Sequence, residues 1–208
     1  MNSRVDLRRH LLSAAVVLVA LLVLAGFAGI YIYLGLYNVG ADAPHSGLVY
    51  GTLDELRERS IASRARGLTP PANLDDPKRI AAGSGLYDEM CTSCHLGPGI
   101  KRTELAQGLY PAAPELARAT DLSAAEQFWI IKHGVKFSAM PAWGKTHDDE
   151  LIWDMVAFVR QLPKLSPERY QAIVAGAPGT HREMMEGTVE RDTPSEPHKH
   201  RDGHKHNH

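Results

Sequence analysis

The chain has 208 residues, 23 basic and 24 acidic side chains, and a formal net charge of −1 at pH 7. That balance carries no polyanion-binding signature, which excludes nucleic acid as a partner class. With only two cysteines, there is no disulfide framework for a small exported domain, which would need another staple.

Residues 1–10, which include Arg4, Arg8 and Arg9, are expected on the cytoplasmic side, and the run from Leu11 to Leu36 has no charged residue. A stretch of about 26 residues exceeds the roughly 20 that cross the hydrocarbon core as a helix. Tyr31, Tyr33 and Tyr37 gather at its far end, where amphipathic rings favour the interface. Residues 11–37 are therefore predicted to be a single-pass anchor in the inner (cytoplasmic) membrane. The positive-inside rule puts everything beyond it in the periplasm. Ala41-Asp42-Ala43 resembles a signal-peptide cleavage site. However, Pro44 would follow the cut, and the apolar run far exceeds a signal core of about 7–15 residues, so an uncleaved anchor is preferred.

Residues 38–74 read as a juxtamembrane helix and linker. Thr52 to Arg66 lacks Pro and Gly, and Leu53, Leu56, Ile61 and Ala65 form only a loose face. Arg57, Arg59, Arg64 and Arg66 are available to anionic headgroups or a partner subunit, but a solvated helical stalk is the plainer reading. Pro70-Pro71 ends it.

From Asp75 to Gly176 the texture is that of a globular domain. Asp75 or Asp76 caps a helix with Pro77 at its first position. Its face, Ile80, Ala81, Leu86, Tyr87 and Met90, runs into Cys91-Thr92-Ser93-Cys94-His95. That pentapeptide has the spacing of a covalent c-type haem site: two thiols on one turn reach two vinyl groups, and the next residue offers an imidazole to the iron. A zinc site would want two further close ligands. A redox dithiol would not need His95. Ser123-Ala124-Ala125-Glu126 is a capping box before an apolar run that stops at Gly134. Thr146 to Asp149 is read as a second box, opening a helix with Leu151, Ile152, Met155, Val156, Phe158, Val159 and Leu162, closed by Pro163. Ser166-Pro167 starts a last short helix ending near Gly176. With no strand pattern, the expected fold is all-α.

The stretch from about Asp75 to Gln171 resembles class I cytochrome c. Gly83 and Tyr87 stand where that family places a glycine and an aromatic on its first helix, and Met155-Val156-Ala157-Phe158-Val159 is similar to its last. The resemblance implies that these helices cross closely at Gly83, with Phe158 beside Tyr87, around one covalent haem c. Pro114-Glu115-Leu116 is similar to the family's Pro-x-Leu, whose proline carbonyl accepts a hydrogen bond from the proximal imidazole; Pro111 is a weaker candidate. Leu96 stands where many relatives have glycine, and it is expected to crowd one haem edge. The layout as a whole resembles the membrane-anchored mono-haem cytochromes c of proteobacterial respiratory chains.

A class I domain takes its distal ligand from the loop before its last helix, which here contains Met140-Pro141. The resemblance points to Met140. A soft, neutral thioether also favours the ferrous state. His133 and His147 flank the loop as alternatives and otherwise read as surface or propionate-side residues; Trp129 and Trp143 read as packing at the haem edge. Met90 adjoins Cys91, Met155 lies on a helix face, and Met184 and Met185 fall in a polar tail.

Residues 177–208 read as a disordered tail in which His198, His200, His204, His206 and His208 offer imidazoles to a labile divalent metal. The expected function is electron transfer with a respiratory oxidase, reductase or dehydrogenase as redox partner, the chain itself being a carrier and not an enzyme. Alternatives are a fixed cytochrome c subunit of such a complex, or a haem-based sensor, which would need an exchangeable axial position and an output domain.

Overall fold

The computed structural model describes residues 3–179 and Glu183, with side chains from Arg9 onward. The histidine-rich tail, with Met184 and Met185, lies outside the described residues. The helices are α1 (Ser3–Tyr33), α2 (Gly47–Ala65), α3 (Pro77–Met90), α4 (Thr92–His95), α5 (Glu104–Gly108), α6 (Ala124–His133), α7 (Asp149–Val159) and α8 (Pro167–Ala175). The described residues contain no strand. The chain divides into two compact units, Met1–Pro44 and His45–His208.

The first unit contains α1. Its stretch Arg9–Tyr33 is long and apolar enough to cross a membrane, with mean hydropathy 2.8 and no part of it buried. The helix gives way after Tyr33 to a turn in which Gly35 has φ +62°. This is short of the end expected at residue 37.

The second unit is organised by the crossing of α3 and α7. Asp76 caps α3 by accepting from the Lys78 N–H, with Pro77 in the first turn. Leu86, Tyr87, Ile152, Met155, Val156, Phe158 and Leu162 are fully buried. At the crossing, a Cβ on Gly83 would lie 1.9 Å from the Asp154 carbonyl oxygen, so no larger residue fits without parting the helices. The Tyr87 and Phe158 rings pack at 5.5 Å. Beside the crossing, Arg79 donates to Asp154 at 2.7 Å and to Glu150 at 2.6 Å. α6 joins α7 through Phe128 stacked on Trp153 at 4.1 Å. α8 closes the other side, Tyr170 donating to Asp88 at 2.7 Å.

Two further elements differ from the expectation. α2 starts at Gly47, capped by Ser46, five residues before the predicted start, and it does not stand alone as a solvated stalk. Ile61 and Ala65 are buried and α2 packs on α6, because these two residues, one helical turn apart, present a small apolar face. The cap of α7 is Asp148, which accepts from the Leu151 N–H. Thr146 instead donates to the Trp143 carbonyl within a 3-10 turn, Trp143–Lys145, so the box read at Thr146 does not form. α7 also ends at Val159, before Pro163, which sits in a second 3-10 turn, Leu162–Lys164.

Candidate functional site

Cys91, Cys94 and His95 share one turn at the end of α3. The Cys94 and His95 N–H groups both donate to the Cys91 carbonyl, at 3.1 and 2.8 Å, and this turn puts the two thiols and the imidazole within one backbone bend. Both cysteines are free and half-buried. Burial, reinforced by neighbouring Cys94, pushes the Cys91 thiol up to about 12. That is a protonated thiol, unlike the low-pKa nucleophile of a redox dithiol.

His95 is oriented from outside its own turn. Its Nδ1 lies 2.9 Å from the Pro114 carbonyl oxygen, which fixes the tautomer with the proton on Nδ1. Burial lowers its pKa, against an opposing contribution from the Pro114 hydrogen bond. The imidazole is therefore neutral near pH 7, with the Nε2 lone pair left as the donor. Pro111, the other candidate, follows a cis Tyr110–Pro111 bond and lines a cavity beside α2.

Leu96 ends α4 with φ +59°, a conformation that L residues other than glycine rarely adopt. It is buried, and its carbonyl accepts the Tyr87 hydroxyl at 2.6 Å. Its departure from the usual glycine therefore bears on the backbone: a leucine holds a glycine-like bend, pinned by Tyr87.

Met140 comes from a separate loop, between α6 and α7, and is half-buried. Its carbonyl accepts from the Val135 N–H at 3.2 Å and its N–H donates to Ser138 Oγ at 3.2 Å, closing a tight loop. Gly134, φ +64°, is required there, since its Cβ would meet the Met140 carbonyl at 2.7 Å. Of the flanking histidines, His133 is exposed and packs at a tilt against Trp129, with ring centroids 4.9 Å apart. His147 is not a surface residue. It is 4 % exposed, with Nδ1 2.9 Å from Thr146 Oγ1 and its ring edge-on to Trp143, because the 3-10 turn folds over it. Met155 is a core residue, as its helix face implied.

One polar group escaped sequence reasoning. Gln127 Oε1, on α6, is the sole buried side-chain oxygen or nitrogen lacking a hydrogen-bond partner among the described residues. Such an orphan marks where a bound group or water completes the structure. With two thiols on one turn, a neutral imidazole oriented through Nδ1 and a thioether on a braced loop, the donor set fits a c-type haem.

Residues 78–159 match the family described as cytochrome c oxidase, cbb3-type, subunit III, over about two fifths of the chain. No curated protein and no solved structure matches the chain. The matched region runs from the first turn of α3 to the last residue of α7 and includes the helix crossing, the Cys-x-x-Cys-His turn and the Met140 loop. Such a domain implies covalently bound haem c. This match, within a unit that is helical without strands among the described residues, supports a class I cytochrome c-like, haem-binding domain over residues 78–159.

Proposed function

We propose that this chain is a membrane-tethered electron-transfer protein whose periplasmic domain carries one haem c. In this reading Cys91 and Cys94 form the thioethers, His95 is the proximal ligand and Met140 the distal one. The observation that carries it is the Cys-x-x-Cys-His turn whose histidine is held by the Pro114 carbonyl at 2.9 Å, inside a domain of the matched family. Haem c, when bound, supplies storage for one electron. Pro114 keeps the imidazole ring fixed and makes it a better donor. Gly134 and Ser138 brace the loop so that the thioether keeps its place through redox cycling. Two filled axial positions leave no iron site for a substrate, which favours a carrier over a sensor. Arg4, Arg8 and Arg9 before the apolar helix support an inner-membrane, single-pass topology with the domain outside the cytoplasm.

The redox partners in this reading are a respiratory oxidase, reductase or dehydrogenase. A second reading, a fixed subunit of a terminal oxidase, is favoured by the matched family's own description. Three measurements test the proposal. Acid-acetone extraction of the denatured chain should leave the pigment on the polypeptide; release of free haem would sink the assignment of Cys91 and Cys94. The ferric protein should show the weak far-red charge-transfer band of iron–thioether bonding, and Met140→His should erase it and lower the potential. Purification from mildly solubilised membranes separates the two readings: a carrier comes away alone, a subunit keeps stoichiometric partners.

A further inference from the structure

The sequence offers Arg57, Arg59 and Arg64 on α2, and Arg66 at its C-terminal cap, to anionic headgroups or a partner subunit. The structure divides them. Arg57 and Arg64 line a cavity of about 440 Å³, together with Asp54 and Lys136. Arg59 and Arg66 border a different hollow, beside Ser123 and Glu126. The first cavity therefore gathers Arg57, Arg64 and Lys136 against the single carboxylate of Asp54, with which Arg57 pairs, and has Trp129 in its wall.

Its other walls are informative. One is formed by Tyr110 and Pro111, three residues before the Pro114 carbonyl that holds His95. Another is Gly134 to Ser138, the brace that ends in Met140. The two loops that lead to the Pro114 carbonyl and to Met140 thus both reach this cavity, while Cys91, Cys94, His95 and Met140 themselves do not line it. A porphyrin held by those cysteines at its vinyl edge would carry its two propionates on the opposite edge, away from Cys91 and Cys94. The Tyr110 hydroxyl also accepts from the His45 N–H at 2.8 Å, tying the chain leading into α2 to that wall.

Resting on the haem reading above, we propose that Arg57 and Arg64 of the juxtamembrane helix face the carboxylate edge of the haem, making α2 part of the haem site. The matched family region starts at residue 78, so this is a contribution from outside it. Fixed cations near the haem favour the state that has gained an electron, an effect that solvent screens in part here because Arg64 is exposed and Arg57 half-buried. The arginines are then positioning residues that raise the reduction potential.

The test uses the full haem-bearing chain in detergent, poised at a fixed ambient potential. Arg57→Gln with Arg64→Gln should lower the reduced-to-oxidised ratio about tenfold, or about 59 mV for one electron. The far-red band and the covalent haem should stay. Arg59→Gln with Arg66→Gln, on the other hollow, should change the ratio less than about twofold, and Arg57→Lys with Arg64→Lys should largely keep it. If the double Gln variant fails to mature, Arg64→Gln alone should lower the ratio about threefold. An unmoved ratio with haem attached, or equal shifts from both arginine pairs, overturns this inference and leaves the haem reading standing. Loss of covalent haem in the unaltered chain overturns both.

Discussion

The crossing of α3 on α7 and the seat of α2 on α6 are both helix pairs within one compact unit, yet they are built on opposite terms. At the first, two backbones touch: Gly83 has no space for a Cβ, and Leu86, Tyr87, Ile152, Met155, Val156 and Phe158 are fully buried around it. At the second, α2 buries only Ile61 and Ala65, and open hollows lie on either side. A backbone contact leaves no freedom to adjust, because a close-packed interior transmits any misfit. A contact made by two side chains leaves the rest of the helix surface available for charge. The matched family region contains the first pair and omits α2.

The sharpest way to break this contrast is Gly83→Ala. The added methyl would meet the backbone of Asp154, so the helices must part and lose fully buried neighbours. We expect a loss of more than about 3 kcal/mol in denaturant unfolding of the haem-bearing chain. Near-normal stability would mean the crossing is not locked by its backbones. Ile61→Ala should cost less, about 2 kcal/mol. It should act locally: amide exchange should accelerate across 47–65 while α3 and α7 stay protected. Equal acceleration everywhere would show that α2 is integral to the core. The smallest effect is expected of Ser123→Ala. Ser123 Oγ accepts from the Glu126 N–H, and the Glu126 carboxylate accepts from the Ser123 N–H, so α6 loses its box at about 1 kcal/mol. A change within error on a thermal melt would show that α2 and α7 hold the start of α6 without its cap.

The parts legible in the sequence are those written in local chemistry. Asp76 with Pro77, Ser123 with Glu126, and Ser166 with Pro167 each act as read, because a cap and its target N–H lie within one turn. Thr146 misled because it also begins a Thr-x-x-Asp pattern. Its hydroxyl finds the Trp143 carbonyl instead, a competition decided by the 3-10 turn before it. The start of α2 was not legible, since Gly47 and Gly51, poor helix formers, lie in its first turns. α5 is a five-residue helix with too few positions to show a period. The Cys-x-x-Cys-His motif carries its proposed chemistry in its spacing, and the Pro114 contact followed from family resemblance alone. The cavity beside α2 was not legible, since it depends on loops 110–111 and 134–138 converging from distant parts of the chain. The glycine-like bend at Leu96 was likewise invisible in a residue that favours no such bend.

The early start of the second unit at His45 bears on how far the domain can travel. The helix proposed as the anchor ends at Tyr33, so only residues 34–44 are left as a leash. Fully drawn out, such a segment reaches at most about 40 Å. A domain of this size is itself roughly 35 Å across. On the proposed anchoring, the length of that segment would keep the domain within about its own width of the bilayer. A redox partner would then be met in or on the membrane, and within that thin layer an encounter too weak in open solution would recur often enough to pass an electron.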